Sequence, residues 1–238
     1  VKKISLNSIY KTMLARYGPQ GWWPIFSLKT GASVYRGDAP RNNKEFYEIC
    51  AGAILTQNIA WINVEKGIGA LKREGLLSPG KIMEMDQPSL GQLIRSTGYY
   101  NQKAIKLKIF TEWYMSRGGS MRALMKNGPE KLRADLLTVK GVGPETADSI
   151  LLYGLGVKIF VVDAYTKRIF SRLGIFDDKA SYDEVQSLFH QKFKGSVYGY
   201  NEFHALIVAH GKDICRNRPL CGGCVLKEKR ICRIEAGI

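Results

Sequence analysis

Val139-Lys140-Gly141-Val142-Gly143-Pro144-Glu145-Thr146-Ala147-Asp148 decides how this chain is read. Two glycines one residue apart allow a tight turn with positive φ and let the backbone approach a phosphate closely. Pro144 has the fixed φ suited to the first position of a helix. The stretch therefore predicts a hairpin between two helices, with the N–H groups at the second helix start forming an anion site. Lys140, Gly141, Val142 and Gly143 become candidate phosphate contacts. An ordinary helix–turn–helix connection would use the same glycines for the turn alone. Val161-Val162-Asp163 follows, about twenty residues beyond the turn. Asp163 is a candidate catalytic carboxylate, and equally a common N-cap for the helix it precedes.

Composition narrows the classes. The 238 residues are 45% hydrophobic, enough for a sizeable core in one domain or two modest ones. The longest apolar runs, such as 150–157, fall short of the roughly 20 residues that span a bilayer. No signal-peptide pattern opens the sequence, so the expectation is a cytoplasmic protein with no membrane partner. Lys and Arg outnumber Asp and Glu by 36 to 21, a formal charge of +15. That excess favours a polyanionic partner through field attraction and counterion release, and with the hairpin it points to nucleic acid. A generally basic surface, or a ribosome-associated protein, would share the charge.

Helical periodicity dominates. Phe46, Ile49, Cys50, Ala53, Ile54 and Gln57 form one stripe, with Cys50 read as a small core residue. Further helices are predicted near 6–17, 62–74, 80–85, 88–95, 102–117, 129–138, 144–153, 163–173, 182–193 and 200–212. Pro and Gly separate them, and Asp86 is a candidate cap. Little strand signal is present. The pattern predicts an all-α assembly of short helices.

Cys215, Cys221, Cys224 and Cys232 crowd the final segment with spacing C-x5-C-x2-C-x7-C. In an intracellular chain such thiols point to a metal site, either a [4Fe–4S] cluster or a tetrahedral zinc. Its main work would be to order a tail poor in apolar residues. Arg216, Arg218, Lys227, Lys229, Arg230 and Arg233 make the same tail basic. They are solvated charges or phosphate contacts.

Taken together, the hairpin, the following aspartate and the four-cysteine tail resemble the helix-hairpin-helix DNA glycosylases related to endonuclease III. The resemblance runs from about Glu45 to Cys232. Leu55-Thr56-Gln57-Asn58 is similar to the family segment whose glutamine probes the strand opposite an extruded base. Gly98-Tyr99-Tyr100-Asn101-Gln102-Lys103-Ala104 matches the family pattern G-x-Y-N-x-K-A. The resemblance implies two α-helical domains: a central helical barrel, 45–157, with the hairpin at 129–156, and a second domain, 1–44 plus 158–238, with the cluster loop at 215–232. It also implies a monomer acting on double-stranded DNA that contains a damaged base, with Asp163 catalytic and Gln57 and Asn58 in contact with DNA.

Departures from the pattern carry information. Bifunctional members have a lysine two residues after the second glycine, where its amine attacks the sugar. This chain has Glu145 there, which implies a monofunctional glycosylase. Lys140 could be a substitute nucleophile, or a phosphate contact on the far side of the turn. The cysteine spacing differs from the endonuclease III form C-x6-C-x2-C-x5-C in its first and last gaps. Trp22-Trp23-Pro24 and Tyr47 could stack on an extruded base or simply pack the core. The Trp-Trp-Pro element, the hairpin form and Glu145 are similar to the 3-methyladenine glycosylase III branch. That likeness implies a base pocket at Trp22, Trp23, Tyr47 and Glu145 for a cationic alkylated purine. Glycosylases for uracil, mismatched thymine or an oxidised base, with or without weak lyase activity, remain open, as does a hairpin DNA-binding protein without catalysis.

Overall fold

The structure is a computed structural model, and it describes residues 5–232. Helices account for most of the chain, in two compact units. One holds the described residues up to Trp22 and from Lys158 onward; the other runs from Trp23 to Val157.

In the central unit, α2 (Asn43–Leu55) starts where the Asn42 side chain accepts from the amides of Lys44 and Glu45. Every residue of α2 from Phe46 to Leu55 is buried, so it is a central helix wrapped on all sides. Gln57, read as the end of its stripe, lies beyond the helix. Against α2 pack α3 (Trp61–Arg73) and α6 (Tyr100–Ser116); α4 (Pro79–Glu84) and α5 (Gln87–Leu93) pack on α6, and α7 (Met121–Leu124) follows it in the chain. Asp86 caps α5 by accepting from the Ser89 amide. The predicted hairpin is present: α8 (Pro129–Leu137) and α9 (Pro144–Ser149), which runs into a π-helical turn at Ile150–Gly154. Asp148, fully buried, receives a two-pronged bond from Arg133 at 2.7 and 3.0 Å, which fastens α9 to α8.

A short antiparallel hairpin, β1 (Ile25–Ser27) and β2 (Ala32–Val34), pairs Ile25 with Val34 and Ser27 with Ala32. Three-residue strands are too short to print an alternating pattern, which is why the sequence carried little sign of them. This hairpin also moves the expected domain boundary from 44/45 to 22/23. Phe26 N donates to buried Glu48 at 2.6 Å, and Lys72 Nζ bonds both Glu48 Oε2 and Phe26 O at 2.5 Å. Burial pushes the Glu48 carboxyl up, opposed by Lys72. Residues 23–44 are thereby fixed to α2 and α3.

The second unit comprises α1 (Leu6–Tyr17), α10 (Ala164–Arg172), α11 (Tyr182–Lys192), α12 (Val197–Asp213) and α13 (Val225–Glu228). Ser181 and Glu184 form a capping box at the start of α11. The core is aromatic: Phe160 stacks on Phe189 at 3.9 Å, Phe170 and Phe203 pack on Phe189, and Phe193 packs on Phe203. Glu202, fully buried on α12, accepts from the amides of Gln20 at 2.6 Å and Gly21 at 2.9 Å, anchoring the segment after α1. Among the described residues no helix is long and apolar enough to cross a membrane.

Candidate functional site

Asp163 begins α10 as its N-cap. Oδ1 accepts from Thr166 N at 2.7 Å and Thr166 Oγ1 at 2.8 Å. The carboxylate is 9% exposed, and its second oxygen faces His204 Nε2 at 3.7 Å, beyond hydrogen-bond distance. The cap and the candidate catalytic group are thus one residue: one oxygen fixes orientation and the other keeps acceptor capacity. Burial holds the His204 imidazole below its ordinary pKa, with Asp163 pulling the other way. The Asp163 carboxylate likewise pulls the Lys212 pKa up against the burial that lowers it. His204 gave no sequence signal, because a histidine on a buried helical face reads as core.

At the hairpin, Gly141 has φ 93° and closes the turn with Val142 N bonded to Val139 O at 2.9 Å. Gly143 has φ −94°, an extended N-cap conformation that does not need glycine, so only one of the two glycines serves by positive φ. A Cβ at Gly143 would meet no protein atom within 4 Å. Lys140, Gly143 and Glu145 are exposed, whereas the Val142 side chain is 6% exposed and anchors the turn from beneath. Any contact Val142 makes with a phosphate belongs to its backbone.

Gln57 is tied down at both ends of its amide. Nε2 donates to Gly141 O at 2.9 Å and Thr146 Oγ1 at 3.0 Å, and Oε1 accepts from Lys106 Nζ at 2.6 Å. Asn58 beside it is exposed, in the left-handed region at φ 57°. Tyr99, which the sequence reading did not single out, is left-handed at φ 46° and 80% exposed. Lys103, in the same motif, is buried, and desolvation, with a smaller contribution from Lys106, lowers its pKa to about 8.

The aromatic candidates do not gather into an open pocket. Tyr47 is 1% exposed, with its hydroxyl on Thr111 Oγ1 at 2.5 Å and its ring 5.7 Å from Tyr114. It is a core residue of α2 and presents no face to a base, which corrects its assignment to the pocket. Trp23 is 7% exposed, edge-on to Trp61 and Tyr153 at 5.3 Å each, with Gly52 leaving room for its indole. Trp22 is half-buried. Cys50 is buried in α2, as a core residue should be.

In the second unit, Cys215, Cys221, Cys224 and Cys232 line one cavity of about 30 Å³, walled by Ile169, Leu173, Ile214, Pro219 and Leu226. None of the four is in a disulfide. Arg172 donates to Cys215 Sγ at 3.3 Å, and His210 Nε2 lies 3.7 Å from Cys224 Sγ while its Nδ1 meets the Tyr17 hydroxyl at 2.7 Å. Burial lowers the His210 pKa to about 4, partly offset by Asp213. Among the described residues no three histidine, cysteine or acidic side chains close on a single metal ion. Arg233 lies outside the described residues.

The family model for HhH-GPD superfamily base excision DNA repair proteins matches residues 51–194. The chain belongs to this superfamily. A protein of Methanocaldococcus jannaschii named as a DNA repair glycosylase is 45% identical over 94% of each chain. The structure of a Helicobacter pylori 3-methyladenine DNA glycosylase bound to 1,N6-ethenoadenine aligns with TM-score 0.67 and 25% identity, covering 87% of this chain and 97% of that one. A trapped endonuclease III–DNA covalent intermediate aligns with TM-score 0.70 over 97% of each chain at 19% identity, a likeness of fold. This member of the superfamily is a DNA N-glycosylase of base excision repair. The family match contains Gln57, Asn58, the hairpin and Asp163, and leaves out Trp22, Trp23, Tyr47 and the cysteines.

Proposed function

We propose that this glycosylase is monofunctional and removes alkylated purines such as 3-methyladenine from double-stranded DNA, working as a monomer. Glu145 carries the monofunctional part: at the position where bifunctional relatives hold an amine, this chain has a carboxylate that cannot form a Schiff base. Water then captures the sugar. As the base departs, the deoxyribose gains oxocarbenium character, and the buried Asp163 carboxylate stabilises that cation or orients the attacking water. The cap bonds from Thr166 hold it ready without reorganisation. An alkylated purine leaves as a good leaving group, so the chemistry asks for no general acid. The substrate class draws support from the likeness to the Helicobacter pylori enzyme. Of the aromatic candidates, Trp22 is the one with substantial exposure to offer a cationic base, an interaction worth up to about 2 kcal/mol when desolvated.

Four soft donors around one apolar-walled cavity, with a guanidinium N–H reaching one sulfur, support a [4Fe–4S] cluster as the cofactor. Zinc is the alternative for the same thiolates. Cys215, Cys221, Cys224 and Cys232 would hold the group, which when bound cross-links the tail. Arg172 would orient the Cys215 sulfur, and the apolar wall would shield one side of the group.

Incubation of the purified protein with methylated duplex should release free 3-methyladenine and leave alkali-sensitive sites without direct strand cuts. Borohydride trapping of a protein–DNA adduct would overturn the monofunctional reading, and release of only uracil, thymine or oxidised bases would overturn the substrate class. Asp163→Asn should lose about a thousandfold in turnover with DNA affinity unchanged. A brown protein with broad visible absorbance identifies iron–sulfur; a colourless one with stoichiometric zinc identifies the alternative.

A further inference from the structure

Three residues other than glycine have positive φ among the described residues: Asn58, Tyr99 and Arg230. The first two are exposed, and their loops touch, since a Cβ on Gly98 would lie 3.7 Å from Ile59 Cδ1. A left-handed side-chain-bearing residue costs roughly 1–2 kcal/mol, least for asparagine and more for tyrosine, and it persists where the surroundings over-determine it. Here they converge on one buried atom. Lys103 Nζ donates to Leu55 O at 2.7 Å and to Thr97 O at 2.6 Å. These carbonyls lie just upstream of Asn58 and Tyr99 respectively. One turn along α6, Lys106 holds Gln57, whose amide carries the tie on to Gly141 in the hairpin.

A buried ammonium is costly unless its hydrogens are taken, and a methionine would fill the same space without that cost. The acceptors of Lys103 are both backbone carbonyls, so it fixes the course of two loops and neutralises no acid. We propose that Lys103 is a positioning residue for base excision: its ammonium sets loops 56–59 and 97–99 side by side, so that Asn58 and Tyr99 meet the duplex together at the lesion. Asn58 offers a donor and an acceptor to base edges, and Tyr99 a flat apolar face to a base step. The inference rests on the duplex-DNA reading given above.

Lys103→Met keeps the volume and removes the donors; Lys103→Arg restores a cation. In Lys103→Met, amides of 56–59 and 97–99 should exchange together about tenfold faster, the loss of a hydrogen bond or two, while α8 and α9 keep their protection. With 2-aminopurine beside a lesion, the fluorescence rise on binding should vanish and single-turnover base release fall about 100-fold. Affinity for undamaged duplex should stay within about twofold, because phosphate contacts set it. Lys103→Arg should recover most of the fluorescence rise. Lys103→Met with both loops protected, or with the fluorescence rise intact and only a lower melting temperature, would overturn the proposal. If Lys103→Met folds poorly, Lys103→Gln, able to reach one carbonyl, is read by the same exchange and fluorescence criteria. A wild-type protein that releases no base from any lesion duplex defeats the substrate reading instead, and the exchange measurement still decides whether Lys103 holds the two loops.

Discussion

Loops 56–59 and 97–99 of the central unit are tied by lysines, and the cysteine segment of the second unit is tied by arginines. Lys103 presents a compact ammonium where two carbonyls converge, and Lys106 presents one to the Gln57 amide oxygen. Arg168 and Arg172 spread forks along a longer run: Arg168 bonds Cys215 O and Gly211 O, and Arg172 bonds Arg216 O, Asn217 O and Cys215 Sγ. A rigid planar donor suits backbone groups strung out in space, and a rotatable point charge suits two that meet. The first arrangement organises a segment with few apolar residues; the second brings two exposed tips into register while leaving their side chains outward.

The strongest way to break this contrast is Asp148→Ala, which strands the Arg133 fork inside the central unit. Loss of about 3 kcal/mol is expected, seen as a lower urea midpoint, because a charge is left without its buried partner. Arg172→Met should cost less, about 1–2 kcal/mol, with cleavage by trypsin concentrated after Arg216. If cleavage stays diffuse, the arginine fork is not what holds that segment.

A pH series separates lysine ties from arginine ties. Lys103 has its pKa lowered from 10.5 to about 8. Between those values the unfolded chain keeps a proton that the folded chain has shed, so stability rises with pH across that window. Wild type should gain on Lys103→Met between pH 8 and 10.5 in paired urea titrations. A flat difference would place the ammonium in a better-solvated site than its burial implies. The smallest effect is expected for Tyr99→Gly, a gain of about 1 kcal/mol from relief of the left-handed strain, since the side chain is mostly in solvent. Reduced excision in that more stable variant would mark Tyr99 as a residue kept for work on DNA.

Much of the helical order was legible because a 3.6-residue period and Pro or Gly breaks are local signals; α1 and α8 begin where those signals predicted. Helices α7 and α13, four residues each, are too short to carry a period. The hairpin and Asp163 were found as candidates because glycine spacing and a cap-forming acid are written in residue identity. Tyr47 was misread because α2 is buried on every face from Phe46 onward, so a residue off the stripe is as covered as one on it. Lys103 and Lys106 were invisible as ties: their acceptors include carbonyls and an amide oxygen brought close only by folding, and a backbone carbonyl has no letter of its own.

The bonds from Gln20 and Gly21 to Glu202, and from Tyr17 to His210, join residues more than 180 positions apart. During synthesis the contiguous stretch 23–157 can complete its core while α1 still waits for a helix the ribosome has not yet made. The opening segment therefore stays unsatisfied until translation has passed α12, and its docking is among the late events of biogenesis. Contacts of such long sequence separation form slowly, so α1 is where a holding chaperone would find apolar surface on a nascent chain.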